Sequence, residues 1–383
     1  MIVLNKSRLK EYIAFAIAFL LFLSIPPYFV WNLSGLLLVV SPVIIILLSL
    51  IYCGSFSKRN MGFALSLAVL YLLLALRDSK NIVGIIANVS LVFIFAFNSY
   101  LIQTTFKKFF NIYSFFLIPS ILAYISVIFL GVDFPYNIVE PENAIKDHLF
   151  RQYPCLIVSD DISIGAFRFH SYFDEPGVVG TISGILLLIN GLNYKKWQTW
   201  VLLLSGIFSL SFAFYLLLFF NILFFQSTRV KVIFGGIIIM LLIIFANNEI
   251  VQSLLLNRFT IENGQVAGIN RTTSSMDFFM ANFWNSDKLY LGYGNGYSQS
   301  FVNVGGASYK DLLINYGIIG LGSLSFLSIL YGIKYLGFTK RLLVFGLIWG
   351  CIIYQRPFIF NLIYFYLMYI ILFIPDYQKT QIR

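Results

Sequence analysis

Residues 197–226 read WQTWVLLLSGIFSLSFAFYLLLFFNILFFQ, and the side of the membrane on which the later half of the chain falls depends on how often they cross it. At about 1.5 Å per residue a single helix here is roughly 45 Å long. That is too long for one upright pass across a hydrocarbon core of about 30 Å and short for two full ones. Two short or partly re-entrant passes turning near Ser209-Leu210-Ser211 return the chain to the side it left, whereas a single strongly tilted helix does not. Lys195-Lys196 precede the run, and Arg229 and Lys231 follow it. Because Lys and Arg mark the cytoplasmic side, the two-pass reading keeps both pairs together and is preferred.

Outward from that run, the chain is built of similar apolar stretches, near 12–30, 33–53, 61–76, 82–101, 110–131, 177–192, 232–247, 309–333, 342–354 and 358–374. Hydrophobic residues make up 59% of the 383 and charged residues 11%, against roughly a quarter charged in a soluble domain, so lipid is the expected solvent. Lys6, Arg8 and Lys10, Lys58-Arg59, Lys107-Lys108, Lys334, Lys340 and Arg341, and Lys379 and Arg383 fall between runs on one side. The reading is an all-α polytopic integral membrane protein, a single transmembrane domain over 1–383 with about twelve transmembrane helices and both termini cytoplasmic. On it, sixteen of the 26 Lys and Arg but two of the 16 Asp and Glu lie inside. The first stretch runs into Ser24-Ile25-Pro26-Pro27 with no small-x-small cleavage site and is read as a retained span. The net charge of +10 is scattered between runs, which argues against nucleic acid. Cys53, Cys155 and Cys351 are too far apart in sequence and setting to form an expected disulfide framework.

Two polar segments, 132–176 and 248–308, fall outside. No GxxxxGK[ST] occurs, so nucleotide-driven chemistry is not expected. The first segment is acid-rich and holds both histidines, His148 and His170. Its stretch Gly165-Ala-Phe-Arg168-Phe-His170-Ser-Tyr-Phe-Asp174-Glu175-Pro176-Gly177 carries an Arg, a His and two carboxylates to the point of membrane re-entry. Pro176 suits a first helical turn, with Asp174 or Glu175 as a cap. The second segment carries Arg258, Arg271, the run Leu291-Gly-Tyr-Gly-Asn-Gly296, and Asn303. Gly292, Gly294 and Gly296 let backbone approach a ligand or form a tight turn. Arginines at the outer interface suit phosphate or pyrophosphate, which a guanidinium binds through paired donors. Neither histidine belongs to a ligand-spaced cluster, so no metal site is expected.

Taken together, Arg168 to Gly177, the Ser-containing turn at 205–211, Arg258, Arg271, and the run from Leu291-Gly-Tyr-Gly-Asn-Gly296 to Asn315-Tyr-Gly317-Ile-Ile-Gly320 resemble the bacterial O-antigen polymerase and ligase superfamily, with its GT-C-like glycosyltransferase architecture. The resemblance covers the chain as architecture and is local in its motifs. It implies a multi-pass protein of the bacterial cytoplasmic (inner) membrane with its site facing the periplasm or exterior. The implied substrate is an oligosaccharide repeat unit on undecaprenyl pyrophosphate, polymerised into O antigen, capsule or exopolysaccharide without metal or nucleotide. Ligases of this kind carry a His-Asn pair where this chain has Gly306-Ala307, and no histidine follows His170, which favours a polymerase over a ligase. The expected clamp on the leaving pyrophosphate is Arg168, Arg258 and Arg271. Candidates for the base are His170, Glu175 and Asp174, and Arg151, Gly292, Gly294, Asn295, Gly296 and Asn303 are candidate substrate-loop residues. The expected partners are the lipid-linked oligosaccharide and the bilayer, with a chain-length regulator left open. A flippase or other transporter is the competing class; the scarcity of midspan charge argues for transfer.

Overall fold

The structure is a computed structural model and describes residues 6–76, 82–140, 149–160, 168–245, 261–262, 265–266, 274–294, 296–297 and 308–375. It is mostly helical. Helices α1 (Lys6–Leu23), α2 (Ser34–Cys53), α3 (Lys58–Ala75), α4 (Ile82–Ser90) and α5 (Ser99–Tyr124) lead into the polar segment 132–176. After it come α6 (Pro176–Asn190), α7 (Trp197–Phe208), α8 (Phe212–Phe225) and α9 (Thr228–Phe245), then α10 (Ser274–Phe283), α11 (Tyr309–Leu336), α12 (Lys340–Gln355) and α13 (Leu362–Tyr369).

Four helical stretches among the described residues are long and apolar enough to cross a membrane: Tyr28–Cys53, Lys58–Ala75, Ser99–Phe129 and Tyr309–Leu336. Several stretches that look like single spans in the sequence are shorter pieces. The 82–101 run is α4, then a 3₁₀ turn over Leu91–Ala96, then a new helix from Ser99, because Asn98 Oδ1 accepts from the Tyr100 amide at 2.8 Å and starts a helix there. Asn361 does the same for α13, accepting from the Ile363 amide at 3.1 Å. Pro26 and Pro27 separate α1 from the turn Tyr28–Leu33 that leads into α2.

The all-α expectation needs one correction. The polar segments 132–176 and 248–308 carry small antiparallel sheets, β1 (Asn137–Val139), β2 (Phe150–Tyr153) and β3 (Leu156–Ser159) in the first, β4 (Ile261–Glu262) and β5 (Gln265–Val266) in the second. Pro154-Cys155 is the two-residue link that pairs Tyr153 with Leu156. A hairpin satisfies its backbone donors and acceptors locally.

The chain divides into two compact units: Met1–Ser24, Leu33–Phe109 and Asn270–Pro375, and Ile25–Asn32, Phe110–Ile269 and Asp376–Arg383. In the first, α3 and α11 run antiparallel. Tyr335 donates to the Arg59 carbonyl at 3.2 Å near the start of α3, while Tyr71, near its end, donates to the Ile359 carbonyl at 3.1 Å. Lys58, Arg59, Lys334, Lys340 and Arg341 therefore gather at one end of this unit, where Arg341 also donates to the Ile371 carbonyl at 2.7 Å. The core between is aromatic: Phe63 lies 5.0 to 5.3 Å, centroid to centroid, from Tyr331, Tyr369 and Phe373.

In the second unit, α6 is buried along nearly its whole length between α7 and α8. Ser183 and Ser205 hydroxyls meet at 3.1 Å, and Asn221 donates to the Leu187 carbonyl at 2.8 Å. A Cβ on Gly180 would lie 2.3 Å from Ser211 Cβ, and one on Gly184 2.9 Å from Leu217. This register makes α7 run antiparallel to α6 and α8 parallel to it. Residues 197–226 are thus a helical hairpin whose tip, 209–211, lies beside the start of α6 and whose two ends lie toward Asn190. At 1.5 Å per residue its arms are about 18 and 21 Å long. Close packing at the small residues closes the hairpin, and Gly206 would place a Cβ 2.0 Å from the Phe214 ring. Gly206→Val is expected to lower the melting temperature of detergent-purified protein by several degrees, whereas Gly235→Ala, with open space at its Cβ, is not.

Candidate functional site

The re-entry stretch that the sequence singles out is fastened to the hairpin tip. The last carbonyls of α7 lack donors within the helix. Three are served by the turn itself, Ser209 N–H to Ser205 O at 3.0 Å, Ser209 Oγ–H to Gly206 O at 2.7 Å and Leu210 N–H to Ile207 O at 3.1 Å. The next two are served by the outer segment: Phe169 N–H donates to Phe208 O at 3.0 Å, and Arg168 Nε donates to Ser209 O at 3.2 Å. A guanidinium at a helix C-terminus also meets the negative end of its dipole. Leu210 takes a left-handed φ of 48° to make the turn, a conformation costly for a non-glycine residue and held here by these bonds.

On the other side the same stretch is tied to the sheet. Ile157 N–H of β3 donates to Ser171 O at 2.8 Å, and Tyr28 N–H donates to Tyr172 O at 2.8 Å. Tyr28 stacks on Tyr172 at 5.9 Å and also donates its hydroxyl to Pro154 O at 2.8 Å. Ser171 is buried with φ 56°, and its Oγ finds no acceptor among the described residues. Nothing in the sequence marks Ser171, and the turn expected at Ser209-Leu210-Ser211 carries no sign of the left-handed backbone at Leu210, because both conformations come from contacts on both sides.

His170 is 5% exposed. Its Nδ1 donates to the Asp174 carbonyl at 3.1 Å, and the Phe150 ring meets it edge-on at 5.6 Å. Burial, reinforced by the nearby Arg168 charge, pushes its pKa down to about 4. At neutral pH it is a neutral imidazole of low basicity, suited to holding the stretch in shape rather than taking a proton. This changes the weight among the expected bases, since the histidine's attraction was its ordinary pKa.

Pro176 is the first residue of α6, and Glu175 sits at the capping position without its side chain capping the helix. Glu175 is half-buried and Asp174 exposed. Both carboxylates are therefore more exposed than His170. Among the described residues no cluster of His, Cys, Asp or Glu has metal-ligand geometry.

His170 also makes a pH prediction. The folded state holds it neutral with a pKa of about 4, below the unfolded value of about 6.5. Its contribution to stability is complete above about pH 6.5 and is lost as pH falls toward 4, because the unfolded chain takes up the proton first. The melting temperature is expected to decline across that window, and His170→Gln should flatten the decline relative to the parent.

Arg151 is tied into the sheet. Its Nε pairs with Asp160 Oδ1 at 2.5 Å across the β2–β3 hairpin, and its guanidinium lies 5.2 Å from the Tyr136 ring centre. That hydrogen bond raises its pKa. The residue is engaged in holding the sheet.

The glycine-rich run also has an intramolecular explanation. Within α11 the helix breaks at Gly317, whose φ is 67° and ψ −176°. The break removes donors from preceding carbonyls, and the run replaces them: Tyr293 N–H donates to Ile314 O at 2.8 Å and Gly294 N–H to Asn315 O at 2.9 Å. In return Ile319 N–H donates to Tyr290 O at 3.1 Å. The backbones touch so closely that a Cβ on Gly292 would lie 2.5 Å from the Asn315 carbonyl, and one on Gly317 2.3 Å from Tyr290 O. Gly292 and Gly294 thus serve a broken helix, while Gly296 has open space around its Cβ position. Arg258, Arg271, Asn295 and Asn303 lie outside the described residues.

The sequence also passed over Arg356. In the turn Gln355-Arg356-Pro357 it is 3% exposed, and a guanidinium so deeply buried is an unusual expense unless acceptors surround it. The chain matches no family model, no curated protein and no solved structure.

Proposed function

We propose that the chain is a glycosyltransferase that polymerises oligosaccharide repeat units carried on undecaprenyl pyrophosphate, at the outer face of the bacterial cytoplasmic membrane. The observation that supports this most is the arrangement of Arg168, Asp174 and Glu175 at the start of α6, with Arg168 oriented by its bond to Ser209 O at the hairpin tip. A guanidinium oriented through Nε is of the type that binds phosphate oxygens through planar N–H donors, and the start of α6 adds the positive end of a helix dipole.

In the reaction a hydroxyl of one lipid-linked unit attacks the anomeric carbon of another. The new C–O bond forms as the bond from that carbon to the pyrophosphate oxygen breaks, and the electron pair leaves on undecaprenyl pyrophosphate. The hydroxyl proton passes to Glu175, or to Asp174 and then water. Charge grows on the departing oxygen, so donors aimed there stabilise the transition state more than the ground state. The activated donor already carries its leaving group, and orientation of the acceptor supplies much of the remaining acceleration.

One observation favours a second reading, a transporter for the same substrate. Broken helices in spans are a transporter feature, and α11 breaks at Gly317. Its carbonyls at Ile314 and Asn315 are taken by the 293–294 amides, which weighs against their coordinating cargo. Purified protein in lipid vesicles, given a lipid-linked repeat unit and no nucleotide, separates the two. A ladder of lengthened products is expected; movement of the unit across the bilayer without bond formation overturns the polymerase.

A further inference from the structure

We infer that residues 274–291, which the sequence places in a solvated outer loop, form an in-plane element seated in the interface of the same bilayer, with Phe278, Trp284, Tyr290 and Leu291 facing lipid.

The inference begins with α11. From its break at Gly317 to Leu336 there are 20 residues, about 30 Å of helix, which is the thickness of a hydrocarbon core. The basic residues Lys334, Lys340 and Arg341 lie at the far end. The break therefore stands at the level of the opposite interface, and the part of α11 before it, Tyr309–Tyr316, lies at or above that level. Tyr290 is held at this depth by its backbone, since its carbonyl receives the Ile319 amide at 3.1 Å.

The helix α10 is held at the same level by its apolar face. Met276, Met280 and Phe283, at spacings of four and three, pack with Leu313 and Ile314, and with Tyr293, Tyr297 and Leu289 around them. The opposite face is mixed rather than uniformly polar: Phe278 is 74% exposed beside the exposed Asn282 and Asn285, and beyond the helix Trp284 is 48%, Tyr290 62% and Leu291 55% exposed. The two asparagines on that face turn their amides back onto their own helix: Asn282 Nδ2 to Phe278 O at 3.3 Å and Asn285 Nδ2 to Ala281 O at 3.4 Å. Trp and Tyr beside apolar residues at the end of a span are the composition of an interfacial belt, and the exposed Lys288–Asp287 pair, 3.9 Å apart, suits the polar headgroup layer. Continuity with a candidate span and the depth of the Tyr290 anchor make the occupant lipid, in preference to a soluble partner or a saccharide.

Trp284 gives the test. In bilayers containing phosphatidylcholine brominated near the glycerol end of its chains, the emission lost on changing Trp284→Phe in the otherwise unaltered chain reports this residue's share. That share is expected to be quenched roughly twofold by shallow bromines, as for an interfacial indole, less by bromines near the chain ends, and little by aqueous iodide. A variant with Trp31, Trp197, Trp200 and Trp349 each changed to Phe reads the same emission directly. Quenching by iodide with no effect of bromolipid overturns the inference and leaves an aqueous, saccharide-facing shelf. Quenching by neither also overturns it, and means that protein, such as a second copy of the chain, covers the site. The result is independent of whether the protein makes glycosidic bonds.

Discussion

Arg168→Lys is expected to lower polymer formation by about a hundredfold to a thousandfold, the scale on which losing one oriented transition-state donor acts, in protein that still purifies as a folded species. Lysine keeps the charge, but it has one point of donation where arginine has a planar fork. In this fold the fork has two tasks. Nε holds the Ser209 carbonyl, and on the proposed reading the guanidinium also meets pyrophosphate. A lysine that satisfies the carbonyl cannot also present a paired face to the leaving group. The capping loss by itself is worth about 1 kcal/mol, too little to unfold the protein, so a melting temperature within a few degrees of the parent should accompany the loss of ladder. An unchanged ladder would remove Arg168 from the clamp. Arg258→Lys and Arg271→Lys carry the same expectation of lost ladder.

Gly317→Ala is expected to be the most damaging single methyl group among the glycines of α11, costing about 3 kcal/mol or more through left-handed strain together with steric overlap. The residue has φ 67°, and its new Cβ would stand 2.3 Å from Tyr290 O and 2.6 Å from Gly292 N. Both neighbours are backbone and cannot rotate away. The bonds that the break depends on, Tyr293 to Ile314, Gly294 to Asn315 and Ile319 to Tyr290, all cross this contact. Gly322→Ala is the control: it lies in the same helix, and nothing lies within 4 Å of its Cβ position, so helix propensity favours a neutral or slightly stabilised protein. Thermal unfolding of both variants in one detergent measures the difference. Equal stability would show that the 290–294 contact contributes nothing to the fold.

Much of this was open to a reading of residues. Apolar content and the spacing of Lys and Arg set the membrane character and the candidate runs, because burying charge in hydrocarbon costs several kcal/mol whatever the fold. Pro176 as a helix start follows from its fixed φ. Site roles were less legible. His170 attracts attention through its usual pKa, yet that value belongs to water, and burial against Phe150 takes it away. Glycines at 292 and 294 look like a ligand cradle because a cradle and a close backbone crossing need the same missing Cβ. Arg151 looks available until Asp160 is brought across the hairpin.

The 197–226 run shows the division most clearly. Sequence by itself determined that these residues are apolar, too long for one upright pass, and bracketed by Lys195-Lys196 and Arg229-Lys231; those properties are local and need no partner. Only the tertiary structure decided what the turn at 209–211 is for. A helix end exposes carbonyls that must be satisfied, and which donors satisfy them depends on what packs alongside. Here they are the amide of Phe169 and the guanidinium of Arg168, drawn from an outer segment forty residues away in the chain, and no pattern within either stretch records that meeting.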